Sequence, residues 1–266
     1  NQDGKVATKE TTVLITDENT KVENDLAIRA DNIVLTQDEA KALTKADAIT
    51  TADVKAYEYT RTDGNITGID TLTNITSADV SAITGVSAKG GEFRLTFTAT
   101  GASGTITKEI LVVVEGTEIQ EDNGIVVKAK GFTIANTDAI GLTDAIAQSS
   151  GNGNVSAYLL KDETPIATIE ASATELAAIN AVGLAGATKD LTFTATSGSK
   201  TSTITVSVVI SPTLVGPTIT ANDCEHYVGD DFDALHGVTA EDATTTSITL
   251  KTENPNKNTV VTHSIP

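Results

Sequence analysis

The chain carries one cysteine, Cys224, and neither methionine nor tryptophan. A lone cysteine excludes an intramolecular disulfide, so no staple of that kind holds the fold. Aromatic residues make up 3% of the composition, so an interior has to be assembled from Val, Ile, Leu and Ala. Histidine is as scarce: His226, His236 and His263 are the three, all near the C-terminal end. Most of the chain therefore lacks the residue that most often takes a proton from a serine or cysteine nucleophile. Basic residues number 18 against 36 acids, a formal charge of −18. A phosphate-backbone binder needs a cationic face, which argues against nucleic acid as a partner. No run approaches the roughly 18 apolar residues of a membrane-crossing helix, so no membrane insertion of this segment is expected. No initiating methionine, signal segment or sorting tail is recognisable, and the chain is expected to be a piece of a longer protein.

What is present is internal repetition. LTFTAT occupies residues 95–100 and again 191–196, a spacing of 96. SADVSAI (77–83) precedes the first copy as ATELAAI (173–179) precedes the second, at the same spacing. VKAY (54–57) answers to VSAY (155–158) at a spacing of 101, and residues 9–33 align with 108–132 at a spacing of 99. Self-similarity at a fixed period points to consecutive structural units. Two whole copies are expected, at 18–116 and 117–211, with residues 1–17 the closing strand of an earlier copy.

Each copy ends in a β-hairpin pattern. Phe93, Leu95, Phe97 and Ala99 alternate with Arg94, Thr96, Thr98 and Thr100, the period of a half-buried strand. Gly101-Ala102-Ser103-Gly104 supplies turn chemistry, and Ile106, Ile110, Val112 and Val114 form the inward face of the return strand. In the second copy Leu191, Phe193 and Ala195 oppose Ile204, Val206, Val208 and Ile210 across Ser197-Gly198-Ser199. A further hairpin is expected over 57–66, turned at Asp63-Gly64. Two short helices are expected per copy. In the first they open at Thr36-Gln37-Asp38-Glu39 and Ser77-Ala78-Asp79-Val80, capping residues followed by acids. In the second, Ala139, Ile140, Leu142 and Ile146 have helical spacing, and a second helix starts at Ala173-Thr174-Glu175-Leu176 with Ser172 or Thr174 as cap. The fold class is mainly β: tandem β-sandwich modules with short capping helices, elongated as an array.

From Ser211 to Pro217 the composition is that of a linker, and the sequence beyond repeats neither copy. Ile219, Ala221 and Asp223, then Val228-Gly229-Asp230-Asp231-Phe232-Asp233, then Gly237-Val238-Thr239-Ala240-Glu241-Asp242 follow in order. This order resembles the bacterial immunoglobulin-like domains found in tandem on Gram-positive surface proteins. The final strands of that pattern are absent, so 212–266 is expected to be an incomplete immunoglobulin-like module. In the two copies, Ala30-Asp31-Asn32-Ile33, Asp38-Glu39-Ala40-Lys41-Ala42-Leu43-Thr44, Val54-Lys55-Ala56-Tyr57 and Thr96-Phe97-Thr98-Ala99 are similar to the repeats of wall-anchored adhesins and internalin-type proteins of listeriae, enterococci and lactobacilli. That resemblance implies a secreted, sortase-anchored parent attached to peptidoglycan at the cell wall surface. It also implies repeats that form a stalk or adhesive array, with a host or neighbouring-cell surface protein or glycan as partner.

Nothing in the sequence assembles a catalytic site. No G-x-S-x-G elbow, H-E-x-x-H helix or G-x-x-x-x-G-K-[ST] loop occurs. Gly151-Asn152-Gly153, followed by Asn154, Val155 and Ser156, departs from the dinucleotide fingerprint and reads as a surface loop. Cys224 and His226 would share one face of a strand, without the further ligands that zinc needs. Calcium takes six to eight oxygen ligands, and the acidic joints offer candidates: Asp17 and Glu18, Glu121 and Asp122, and Asp230, Asp231 and Asp233. Each is equally the composition of a solvated acidic loop. Lys–Asn isopeptide crosslinks need a lysine, an asparagine and an acid meeting in an apolar core. Tyr57, Tyr59 and Tyr158 could offer an aromatic face to a partner, but the equivalent repeat positions of Tyr57 and Tyr158 favour a shared core role. The chain is expected to be a non-catalytic stalk or adhesion segment without a cofactor. A self-assembling surface-layer or biofilm-matrix protein, and the accessory carbohydrate-binding module of a secreted enzyme, are the alternatives.

Overall fold

The computed structural model describes residues 16–183, 185–212, 218–221 and 238–241. The chain is mainly β, as its alternating pattern requires. Its first part runs β1 (Thr20–Glu23), β2 (Leu26–Arg29), β3 (Ile33–Leu35), α1 (Gln37–Ala42), α2 (Lys45–Thr51), β4 (Lys55–Thr62), β5 (Asn65–Leu72), β6 (Ile75–Ser77), α3 (Ser81–Thr84), β7 (Gly91–Gly101) and β8 (Gly104–Val114). Sheet I has the order β1-β2-β4-β5 and is antiparallel throughout. Sheet II has the order β3-β8-β7-β6, with β3 parallel to β8. The two sheets face each other across one apolar cluster, an arrangement compatible with a β-sandwich. Leu26, Ile28 and Ala56 come from sheet I, and Leu95, Phe97, Ala99, Ile106, Ile110, Val112 and Val114 from sheet II. The expected alternation along β7 and β8 is therefore the one that fills this core. Each fully buried aliphatic or phenyl side chain contributes about 1.5–3 kcal/mol.

The second part repeats the order: β9 (Ile119–Asp122), β10 (Ile125–Lys128), β11 (Phe132–Ala135), α4 (Asn136–Ala139), α5 (Asp144–Gln148), β12 (Ser156–Leu159), β13 (Ile169–Ala171), α6 (Ala173–Asn180), β14 (Ala187–Ser197) and β15 (Lys200–Ser211). Sheet III is β12-β10-β9 and sheet IV is β11-β15-β14-β13, again with one parallel pair, β11 with β15. A separate cluster fills the space between them, with Phe193, Leu191, Ile204, Val208 and Ile210 at its centre. Among the described residues no strand answers to β5. The chain turns back after β12, and on the side of Tyr158 away from β10 it forms an isolated bridge through Pro165. Further on, β16 (Thr218–Ala221) pairs antiparallel with β17 (Val238–Glu241).

Local chemistry accounts for the turns and caps. Asp63 (φ 51°) and Gly64 (φ 78°) turn the β4–β5 hairpin, the left-handed pair that matches strand twist. Thr36 closes a capping box with Glu39, and Thr44 closes a second with Asp47, each worth roughly 1 kcal/mol.

The helices depart from the sequence expectation in three ways. There are three in each part, because the Thr44 box starts α2, which the apolar spacing did not reveal. The helix expected from Ser77 begins at Ser81: Ser77 ends β6, and Asp79 accepts hydrogen bonds from the Ser81 N–H and hydroxyl. The single helix expected over Ala139, Ile140, Leu142 and Ile146 is two helices, broken at Gly141 and restarted by Thr143 as N-cap. Ala139 and Leu142 are buried, whereas Ile140 and Ile146 face solvent. For α6 the cap is Ser172.

Candidate functional site

The strand β8 closes on Ile110-Leu111-Val112-Val113-Val114, apolar on both faces, and a strand that reads so is covered on both faces. Ile110, Val112 and Val114 enter the first core. Leu111 and Val113, pointing the other way, are 2% and 0% exposed. They are covered by the outer face of sheet III: Ile119 on β9 and Val126 on β10 are buried against them, with Val34, Tyr158 and Leu160 at the margin. The two sheet pairs thus share a third, smaller apolar cluster of their own.

Polar contacts ring this cluster. Glu92 on β7 accepts from the Lys128 ammonium at 2.8 Å and from the Tyr158 hydroxyl. The Lys128 Nζ also lies 5.9 Å from the centre of the Tyr158 ring. Both terminal nitrogens of Arg94 reach the two carboxylate oxygens of Glu163, the fork geometry that arginine favours. Asn32 uses both ends of its amide: it donates to the Leu160 carbonyl at 2.7 Å and accepts from the Leu111 N–H at 2.8 Å. Arg94 and Glu163 are 49% and 42% exposed, so their pairing orients the joint more than it stabilises it.

The connection between the parts is also fixed. Thr117 N–H donates to the Ala88 carbonyl and Glu118 N–H to that of Lys89, while Lys89 Nζ reaches Glu118 at 2.6 Å. Gly116 sits so close to Gly90 and Lys89 that a Cβ there would overlap their backbone. Gly90, at φ +83°, is equally crowded by the Val114 carbonyl and Ile119. Two glycines in contact let the linker fold back without a gap.

The electrostatics follow from these contacts. The Arg94 guanidinium holds the Glu163 carboxyl below the usual glutamate range. Burial, then the Glu92 carboxylate, pushes the Tyr158 phenol well above the ordinary tyrosine value, which keeps it a neutral donor. Tyr158 therefore lies between the two sheet pairs, a correction to the core role expected of it. Tyr57, at the equivalent register position on β4, is half-buried on the outer face of sheet I.

The acidic candidates serve other partners. Asp17 accepts from Asn19 N–H, the Thr20 hydroxyl and Arg29 Nε, at 3.1, 2.6 and 3.0 Å, and its pKa falls chiefly through the Thr20 bond and then Arg29. Arg29 gathers Asp31 and Asp53 as well. Glu18 and Asp122 are exposed, and Glu121 accepts from Gly124 N–H at 2.6 Å. Among the described residues no three acidic, imidazole or thiol side chains converge as metal ligands. Asp230, Asp231, Asp233, Cys224 and the three histidines lie outside the described residues. None of the described lysines is buried, so none meets the geometry of an isopeptide crosslink. Sequence reasoning missed Leu111, Val113 and the Arg94–Glu163 pair as joint residues. The signal for the first two was the unbroken apolar run 110–114, which differs from the alternation of β15.

No protein-family model matches the chain, and none of the curated proteins compared with it matches.

Proposed function

We propose that the chain is a non-catalytic stalk or adhesion segment of a bacterial cell-surface protein, spacing or presenting binding domains away from the cell wall. In this reading the two sheet pairs are consecutive immunoglobulin-like modules of an elongated array, and the parent is extracellular and attached to peptidoglycan. The observation that carries it is the joint. Leu111 and Val113 are buried against Ile119 and Val126, Arg94 is forked on Glu163, and the linker is hydrogen-bonded along its length. A spacer needs fixed joints, because reach is lost when consecutive modules pivot freely. Inter-domain contacts built only of exposed polar groups would leave that freedom; an apolar centre removes it.

Small-angle scattering with pulsed electron-spin distance measurements across the joint tests this reading. An elongated monomer with one narrow distance distribution is the expected result. A compact particle, or a distribution as broad as that of a free tether, refutes the spacer. Large polymers with or without calcium would instead favour the surface-layer alternative.

A further inference from the structure

A cleft of about 440 Å³ opens beside the joint, and each part of the chain supplies one wall. Asn19, Asp31 and Asn32 line it from the first part. From the second come the β9–β10 turn at Asn123-Gly124, the end of β12 at Leu159 to Lys161, and Lys200 at the start of β15. The hydrogen bond from Asn32 to the Leu160 carbonyl spans the two walls. Its size is that of a small-molecule site, and such sites favour the meeting of two domains. The lining has three kinds of group. Asn19 donates its amide N–H to Asp31 at 2.6 Å and Asn123 donates to the Thr201 carbonyl at 3.0 Å. Both side chains are thereby fixed, and each keeps an amide oxygen with no partner among the described residues. Lys161 meets its neighbour Asp162 at 3.5 Å. Among the described residues Lys200 meets no carboxylate, and its Nζ lies 3.8 Å from the place a Cβ on Gly124 would take. Asp31, the acid of the lining, is held by Arg29 at 2.8 Å. The cleft thus sets two ammonium groups against one paired carboxylate, in a chain whose formal charge is −18. Leu159 and Leu160, half-buried, add an apolar surface between the polar groups.

We propose that this cleft binds an anionic saccharide. Its carboxylate or phosphate meets Lys161 and Lys200, its hydroxyls donate to the amide oxygens of Asn19 and Asn123, and an apolar ring face rests on Leu159 and Leu160. Other ligand classes use less of the lining. A wholly apolar molecule would strip water from two ammonium groups and two amide oxygens and give nothing back. A neutral sugar would leave the lysines idle, and a bare inorganic anion would leave the acceptors idle. The site depends on the closed joint and not on the spacer reading, because neither part carries both walls. Binding and closure are therefore linked: a ligand touching both walls favours the closed joint, and opening the joint costs affinity by the same factor.

Titration of the full chain with sialyllactose, sucrose phosphate and lactose, read by calorimetry and saturation-transfer NMR, tests this. At least one acidic probe is expected to bind, more weakly as salt rises, with lactose about tenfold weaker or silent. Sialyllactose alone would assign a carboxylated glycan, sucrose phosphate alone a phosphorylated one, and both together the shared anionic chemistry. Lys200→Ala and Asn123→Ala are each expected to weaken the acidic probe roughly five- to tenfold. Both side chains are exposed, so the fold should tolerate their loss. Lys189→Ala, an exposed lysine of β14 away from the cleft, should change nothing. Leu111→Ser, which opens the joint, should weaken binding as well. Silence of both acidic probes overturns the proposal, as does lactose binding equally well or an unaffected Lys200→Ala. Unchanged affinity in Leu111→Ser refutes a site with two walls. A narrow distance distribution across the joint, with no probe bound, refutes the saccharide site while the stacking stands; a broad one with no probe bound refutes both.

Discussion

Replacing Leu111 by serine should open the joint while leaving both sheet pairs folded. The perturbation is set by the second sheet pair itself: in the parallel pairings, Val112 opposite Ile33 matches Val208 opposite Phe132, so Leu111 corresponds to Ser207. Ser207 is exposed on β15, and that strand keeps its full register with β14. A serine at this place is therefore compatible with the strand. What Leu111→Ser removes is the burial of a side chain that is 2% exposed, worth about 1.5–3 kcal/mol. At about 1.4 kcal/mol per factor of ten, the open fraction of the joint should rise roughly 10- to 150-fold. Spin labels on exposed Thr107 of β8 and Thr203 of β15 would report it as a broadened distance distribution, while amide exchange at Phe97 and Phe193 stays protected. An unchanged distribution would mean that the apolar centre does not hold the joint. Loss of protection at Phe97 would mean that Leu111 serves its own core.

Gly116→Ala should disturb the connection through the backbone of Lys89 and Gly90, which its Cβ would overlap. A cost of about 1–3 kcal/mol is expected, read as faster amide exchange at Thr117 and Glu118. The joint should also loosen in acid. The folded-state pKa of Glu163 lies below the ordinary value of 4.5, so its contribution is complete above that value and is lost as pH falls through the depressed one. Broadening of the distance distribution below about pH 4.5, suppressed in Glu163→Gln, is the expected outcome; because the pair is partly exposed, the effect should also shrink in high salt. Asn136→Ala should lower the stability of the second sheet pair by about 1–3 kcal/mol in thermal unfolding. Its buried amide donates to the Val182 and Gly183 carbonyls, which would lose their partner.

The hairpins and their inward faces were readable because period-2 alternation is a local property. Phe93 to Ala99 and Ile204 to Ile210 lie where the pattern places them. The helices were less readable, since four- to eight-residue helices are held by caps and packing more than by apolar spacing. Thr44 with Asp47 was the available sign for α2, and the spacing of Ile140 and Ile146 misled because both face solvent. The ion pairs of the joint could not be read at all: Arg94 and Glu163 are 69 residues apart, and only the stacking of one sheet on another brings them together.

The joint also explains why two copies of one pattern differ where they do. Inward positions are constrained by each core alone, so Phe97 and Phe193, or Val112 and Val208, keep the same character. Outward positions answer to the neighbour. On β8 and β3 they are Leu111, Val113 and Val34, all drawn into the shared cluster. On β15 and β11 the corresponding residues are Ser207, Val209 and Thr133, and all three are exposed. Yet the exit from the second part starts as the first does. Gly186, at φ +72°, is crowded by the Ile210 carbonyl and the Pro212 nitrogen as Gly90 is by the Val114 carbonyl and the Gly116 nitrogen. The turn that launches the linker is thus shared, while the apolar face that would receive a stacked neighbour is not. Converting it, with Ser207→Leu and Thr133→Val, should leave the thermal midpoint of the chain nearly unchanged and raise self-association at high concentration, because it exposes a new apolar patch on a flat sheet. If sedimentation detected no added association, outward apolar residues would not suffice to define a docking face. The Glu92, Arg94 and Asn32 contacts would then carry more of the joint's specificity than its buried centre.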